Sequence, residues 1–299
     1  MATISIPRDA CAYDLTTAGA GVDACETLVF LHGWLLSRSY WTPLVERLSD
    51  DYCCLTYDLR GFGESVEDGD GEAKDSSFSR YSLRAYAEDL EALLDRLGLE
   101  DVWLLGHSLG GSIALWAAYL FPERIKGVVC VNAGGGIYID KAFETFRSAG
   151  QQMVKFRPGW LARLPLLPRV FSRMMVKRPL GAQWGRQRLR DFVRAEKVAA
   201  EGALLESTTE EEVHQLPVLM GELKVPVHFI AASEDTVMPP RYVRYLASFH
   251  PQFVEGETVT ELADCGHMAM VEQPEAVADV VRFVTAKLGD RVQSMRRAG

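Results

Sequence analysis

Six segments of the chain read as strands, largely apolar at consecutive positions in Thr27 to Leu31, Tyr52 to Tyr57, Val102 to Leu105, Gly127 to Val131 and Val227 to Ala232, and with Val259 and Leu262 as the apolar positions of Thr258 to Leu262. Strands that are hydrophobic on both faces are buried on both faces. Between them run amphipathic stretches with the helical period, at Tyr40 to Leu48, Ser82 to Leu97, Ser108 to Leu120, Arg241 to Phe249 and Pro274 to Lys287. This alternation predicts an α/β fold with a mainly parallel sheet covered by helices on both sides. Two more polar strands at Thr3 to Ile6 and Ala12 to Thr16 bring the expected sheet to eight strands. The alternation fails over residues 137–219, where helices, prolines and arginines dominate and no strand pattern appears. An inserted helical cap is expected there, on a core domain made of residues 1–136 and 220–299. Val102 to Phe121 carries no Asp, Glu, Lys or Arg and is long enough to span a bilayer. Its embedded His107, Ser108, Ser112 and glycines favour a buried strand followed by a buried helix.

Composition narrows the class. A chain of 299 residues, 48% hydrophobic, suits one large domain or a domain with an insertion. A net charge of −9 argues against a whole-protein nucleic-acid role. The N-terminal residues lack the basic start and apolar core of a signal peptide, so a cytoplasmic location is expected. The six cysteines (Cys11, Cys25, Cys53, Cys54, Cys130, Cys265) show no C-x-x-C spacing. In that compartment they read as reduced thiols, with no disulfide framework, and Cys53 and Cys54 fall on opposite faces of one strand. The six histidines are scattered and no H-E-x-x-H occurs, so neither metal nor cofactor is expected.

The most chemically specific stretch is Gly106-His107-Ser108-Leu109-Gly110, directly after a strand and before a helix. A sharp turn there lifts a serine hydroxyl above the sheet and needs glycine where backbone passes close to backbone. By itself such a turn could also cradle a phosphate. A nucleophilic serine needs a base, and the base needs an acid to fix its tautomer. Asp235 follows the strand Val227 to Ala232, and His267 follows Thr258 to Leu262. Both lie at carboxyl ends of strands, where chemistry gathers in open parallel sheets. Glu234 and Asp264 are neighbouring acids that residue type alone does not exclude.

Taken together, His32-Gly33-Trp34, Asp58-Leu59-Arg60-Gly61-Phe62-Gly63-Glu64-Ser65, Gly106 to Gly110, the Asp235 loop, and Gly266-His267 followed by Glu272-Gln273-Pro274-Glu275 resemble the α/β-hydrolase superfamily. The likeness is to its capped serine-hydrolase branch of esterases, cofactor-free haloperoxidases, proline iminopeptidases and carbon–carbon bond hydrolases. It covers most of residues 25–288. It implies a triad of Ser108, Asp235 and His267, with Asp235 preferred over its acidic neighbours. It also implies an oxyanion hole made by the backbone N–H groups of Trp34 and Leu109. By the same resemblance His32, Asp58 and Arg60 support the turns around the site, and His107 packs or bonds locally. Serine at the nucleophile position sets the chain apart from the dehalogenases and epoxide hydrolases of this fold, which carry aspartate there.

Trp34, Leu35, Leu109, Val237 and Met268 flank the triad positions and predict an apolar substrate pocket. The expected reaction is cleavage of an ester-type bond in a hydrophobic small molecule or lipid. The same triad also serves carbon–carbon bond hydrolysis, thioester cleavage and perhydrolysis, and a ligand sensor of this fold with little turnover is a further alternative. Residues 141–197 hold fourteen Lys/Arg against three Asp/Glu. A helix opened by Pro168 would place Leu167, Val170, Phe171, Met174 and Met175 on one face and Arg169, Arg173 and Lys177 on the other. Such a lid either rests on an anionic membrane surface as a peripheral contact or packs its apolar face over the active site with its arginines in water. The second reading is the simpler and is preferred here. Oligomeric state is not legible in the pattern.

Overall fold

The computed structural model describes residues 2–6, 9–17, 25–67, 80–134 and 140–298. Its strands are β1 (Ala2–Ile6), β2 (Asp9–Thr16), β3 (Thr27–Leu31), β4 (Cys53–Tyr57), β5 (Val66–Glu67), β6 (Val102–His107), β7 (Ile125–Val131), β8 (Val227–Ala232) and β9 (Val259–Leu262). Eight of them lie in the order β1-β2-β4-β3-β6-β7-β8-β9, and the two-residue β5 pairs with β2. The first two strands are antiparallel to their neighbours. From β4 to β9 every pairing is parallel.

The helices are α1 (Thr42–Leu48), α2 (Leu83–Leu97), α3 (Leu109–Leu120), α4 (Asp140–Lys155), α5 (Leu167–Phe171), α6 (Ala182–Arg194), α7 (Lys197–Glu206), α8 (Glu210–Glu222), α9 (Pro240–Ala247), α10 (Ala269–Glu272) and α11 (Pro274–Ala298). The consecutive apolar residues of the strands feed two cores. On β6, Val102 and Leu104 join α2, α3, α8 and α9 on one face. Trp103 and Leu105 join α1, α10 and α11 on the other. The period of two thus buries both faces of the same strand. Among the described residues no helix is long and apolar enough to cross a membrane.

Between β7 and β8 the described chain is helical. Helices α4 and α7 pack together, as do α5 and α6, whereas α8 packs on α3 and α9 of the sheet's helical layer. The expected start of the cap, 137–139, lies outside the described residues.

One expectation is corrected. Cys25 and Cys53 form a disulfide, with Cα atoms 5.8 Å apart. Cys25 lies just before β3, and Cys53 opens β4 opposite Thr27, so parallel register places residues 28 apart in sequence side by side. Cys11, Cys54, Cys130 and Cys265 are buried and lie outside this disulfide.

The β6–α3 turn is packed without spare room. A Cβ on Gly110 would run into the backbone carbonyls of Leu31 and His32, and one on Gly106 would meet the backbone of Gly110 and Gly111. Because these obstacles are backbone, Gly110→Ala is expected to lose about 1–3 kcal/mol of stability. Urea denaturation measures this, and an unchanged midpoint contradicts the close approach.

Candidate active site

Ser108 sits between β6 and α3 with φ 51° and ψ −118°, in the left-handed half of backbone space that non-glycine residues avoid. Its N–H is held by the Val131 carbonyl at 3.1 Å, and its carbonyl accepts the Gly111 N–H at 2.9 Å. Hydrogen bonds on both sides thus pin the turn to the next strand and to the helix.

The loops after β8 and β9 bring two titratable groups together. Nδ1 of His267 lies 2.8 Å from Oδ2 of Asp235, and both residues are buried. The other carboxylate oxygen of Asp235 accepts the Val237 and Met238 N–H groups, each at 2.8 Å. Burial opposes ionisation of Asp235, but the adjoining His267 and these amides outweigh it and hold the carboxyl below its usual range. Glu234 and Asp264 turn outward, 3.5 Å from Lys177 and 3.8 Å from Arg178 of the cap.

Sequence reasoning missed two supports. Asn132, fully buried at the end of β7 with φ 49°, donates through Nδ2 to Asp235 Oδ2 at 3.0 Å and to the Gly266 carbonyl at 3.4 Å. The only sequence signal is an asparagine at a strand end, a residue type that tolerates the left-handed region. Glu272 clamps the His267 loop: Oε1 accepts the Gly266 and Met268 N–H groups at 3.1 and 3.2 Å. Its Oε2 accepts the Lys177 N–H at 2.8 Å, and the His267 N–H donates to the Met175 carbonyl at 2.8 Å. The His267 loop is therefore bonded directly to the helical segment between β7 and β8.

His107 and His32 are structural in the geometry. His107 Nε2 donates to the His267 carbonyl at 2.8 Å, and burial together with the neighbouring His267 pushes the imidazole down to about 3, so it is neutral. His32 donates through Nδ1 to the Gly33 carbonyl and accepts the Leu59 N–H on Nε2. Asp58 accepts the Arg38 and Glu64 N–H groups, and Arg60 pairs with Asp89 at 2.9 Å.

Ser108, His267, Trp34, Leu35, Val237 and Met268 all line one cavity of about 330 Å³; Leu109 does not. Helix α4 and the α5–α6 region close it with Met153, Phe171, Met174, Met175 and Phe192. The Ser108 hydroxyl makes no hydrogen bond to His267 among the described residues. The backbone N–H groups of Trp34 and Leu109 likewise donate to no acceptor among the described residues. The Trp34 indole reaches the cap, donating to the Ala200 carbonyl at 2.8 Å. Buried Arg188 is the one Lys or Arg in the cavity wall, bonded to the Phe171 and Met174 carbonyls and to Met175 Sδ. It makes no ion pair among the described residues.

Comparisons with known proteins address the fold that carries these residues. A family model for the alpha/beta hydrolase fold matches residues 26–274. An uncharacterised protein of Mycobacterium tuberculosis is 25% identical over 277 residues, covering 89% of this chain and 76% of that protein. A pimeloyl-[acyl-carrier protein] methyl ester esterase of Aliivibrio salmonicida is 32% identical over 133 residues, 44% of each chain. The solved structure of a thermophilic esterase from Thermogutta terrifontis superposes with a TM-score of 0.72 at 22% identity, over 96% of this chain and 99% of that one. The chain belongs to the α/β-hydrolase fold family and is a hydrolase.

The cap meets the core at a second buried acid. Asp191 of α6 accepts the Ser37 hydroxyl at 3.0 Å and the Gln187 side-chain amide, and burial pushes its carboxyl up to about 6. A carboxyl raised on folding costs nothing below its unfolded value, near 3.8, and progressively destabilises the fold as pH rises towards about 6. Asp191→Asn is therefore expected to raise the melting temperature at pH 7 and leave it unchanged near pH 3.5. Asp235 has the opposite sign. Its stabilisation is present above the unfolded value of about 4 and is lost as pH falls through its lower folded value. The stability gap between wild type and Asp235→Asn is expected to narrow below pH 4, as urea titrations at each pH would show.

Proposed function

We propose that the protein is a serine hydrolase that cleaves an ester bond in a hydrophobic small molecule or lipid. The observation that carries this reading is the cavity. Ser108 and His267 open into a space walled largely by Trp, Leu, Met, Phe and Val side chains, with the buried Asp235 carboxylate behind the imidazole. Its volume suits a small organic ligand rather than a polymer.

In this mechanism His267 takes the Ser108 proton as Oγ attacks the ester carbonyl. The tetrahedral oxyanion is received by the Trp34 and Leu109 N–H groups, a type of contact that contributes about 3–4 kcal/mol each to lowering a barrier. The imidazolium returns its proton to the leaving alcohol as the carbon–oxygen bond breaks, leaving an acyl-enzyme. Water, deprotonated by the same imidazole, attacks the acyl carbon and releases the acid and Ser108. Asp235 holds the tautomer and stabilises the cation throughout. The esterase names of similar proteins support the same chemistry.

A second reading rests on Arg188. The guanidinium carries five N–H donors, of which three bonds are accounted for, so a buried cation in the cavity wall retains donors for an acidic group on the substrate. That favours a carboxylate-bearing substrate, including those of carbon–carbon bond hydrolysis. Thioesters and peracids fit the triad equally but draw on no separate observation.

A panel of p-nitrophenyl esters of increasing acyl length, set against thioesters and a vinylogous diketone acid, tests these readings. Turnover is expected to rise with acyl length until the cavity is filled. Ser108→Ala is expected to abolish turnover with an unchanged melting curve, and Asp235→Asn to lower kcat about 10⁴-fold. Ester turnover by Ser108→Ala at the wild-type rate would sink the assignment. Preference for the diketone acid, lost in Arg188→Met, would select the second reading.

A further inference from the structure

The outer surface of the cap departs from the expectation that its apolar residues all turn inward. Leu161, Leu167 and Phe171 turn inward against a buried hydrophobic cluster to which cap residues such as Leu189 and Phe192 also belong. Their neighbours do not: Phe156 is 75% exposed, Trp160 58%, Leu166 65% and Val170 54%. Leu166, directly before α5, and Val170 within it are four residues apart and both exposed. Of the large apolar side chains exposed among the described residues, half fall between Met153 and Met175. Isolated exposed hydrophobics are ordinary, but a concentration of this kind marks a contact surface.

The charge on the same segment has one sign. Thr145 to Arg190 contains no Asp or Glu and eleven Lys or Arg, in a chain whose net charge is −9. Lys177 and Arg178 pair with the core carboxylates Glu234 and Asp264. Lys155, Arg163, Arg169 and Arg173 are exposed and make no ion pair among the described residues. Exposed aromatic and aliphatic side chains interleaved with uncompensated cations match the two requirements of an anionic lipid surface, apolar insertion and headgroup attraction. A second copy fits poorly, because a symmetric contact through this face would bring the cations of both caps together.

The patch is continuous with the catalytic cavity. Met153 and Met175 line the cavity and are also 38% and 37% exposed, so the apolar surface runs from the outside of the cap into the cavity. We propose that the 153–175 segment of the cap docks on anionic lipid bilayers, seating the cavity mouth at the membrane surface. Phe156, Trp160, Leu166 and Val170 enter the interface, while Lys155, Arg163, Arg169 and Arg173 meet lipid phosphates. The docking does not depend on any turnover by Ser108.

Co-sedimentation with vesicles of phosphatidylcholine alone, and with one-third phosphatidylglycerol, tests it directly. Binding is expected to the anionic vesicles only and to fall at high salt, with each removed cation weakening partition about fivefold. Arg169→Glu with Arg173→Glu should release the protein, and Phe156→Ser with Trp160→Ser should do so at unchanged charge. All four side chains are solvent-facing, so melting curves and turnover of a water-soluble ester should match wild type, and Ser108→Ala should bind vesicles normally. Brominated lipid should quench the tryptophan fluorescence of the wild type, and markedly less that of Trp160→Phe. Equal binding to both vesicle types, no binding, or unaltered binding by either double variant overturns the proposal. Capture of the patch by an acidic protein without vesicle binding would overturn it as well.

Discussion

A non-glycine residue at φ 51° and ψ −118° does not stay there unaided, since backbone strain of this kind costs on the order of 1–3 kcal/mol. At Ser108 the surroundings over-determine it. The Val131 carbonyl holds its N–H, and α3 starts against the carbonyl ends of β3, where only glycine fits at position 110. Because β3, β6 and β7 are neighbours in a parallel register, the same geometry that strains the turn also sets the site. It brings the loop after β3, carrying Trp34, and the end of β7, carrying Asn132, alongside the serine. Relaxing the turn would lower the hydroxyl out of the cavity and release the contacts on both sides.

The second dependence runs between the cap and the His267 loop. His267 is oriented by Asp235 at its ring, and its backbone is held from two other directions: Met175 of the cap accepts its N–H, and His107 donates to its carbonyl. Glu272 bonds the same loop and the cap's Lys177 amide with its two oxygens. The loop after β3 also bonds the cap, Trp34 through the Ala200 carbonyl and Ser37 through Asp191. The cap is thus bonded to the loops after β3 and β9, and movement of the 175–178 segment is coupled to the position of the imidazole. The acidic core and basic cap add attraction across the same boundary, but through exposed pairs such as Lys177–Glu234 that water screens.

Much of the sheet was legible because burial on both faces leaves strands with uninterrupted apolar residues, as in Val102 to Leu105. The glycines of the turn and the order of Ser108, Asp235 and His267 were legible for a related reason, since strand ends can be located from the strands. What stayed hidden depends on register between distant segments. Cys25 and Cys53 meet only because β3 and β4 are parallel neighbours. Asn132 is a single polar residue after a strand, and its partner Asp235 lies 103 positions away. Glu272 stood in a recognisable stretch, yet nothing in the pattern said that one carboxylate would hold two loops. In the cap, the helical period could not say which apolar residues face the cavity and which face outward, because short elements such as α5 carry hydrophobic side chains on both sides.

The central claim is that Ser108 alone is the activated nucleophile of this cavity. Treatment with a fluorophosphonate, followed by peptide mass spectrometry, tests this without knowledge of the substrate. A single covalent adduct on the peptide bearing Ser108, formed slowly or not at all in His267→Gln, is the predicted result. Labelling at another residue, or equal labelling without the imidazole, would contradict it.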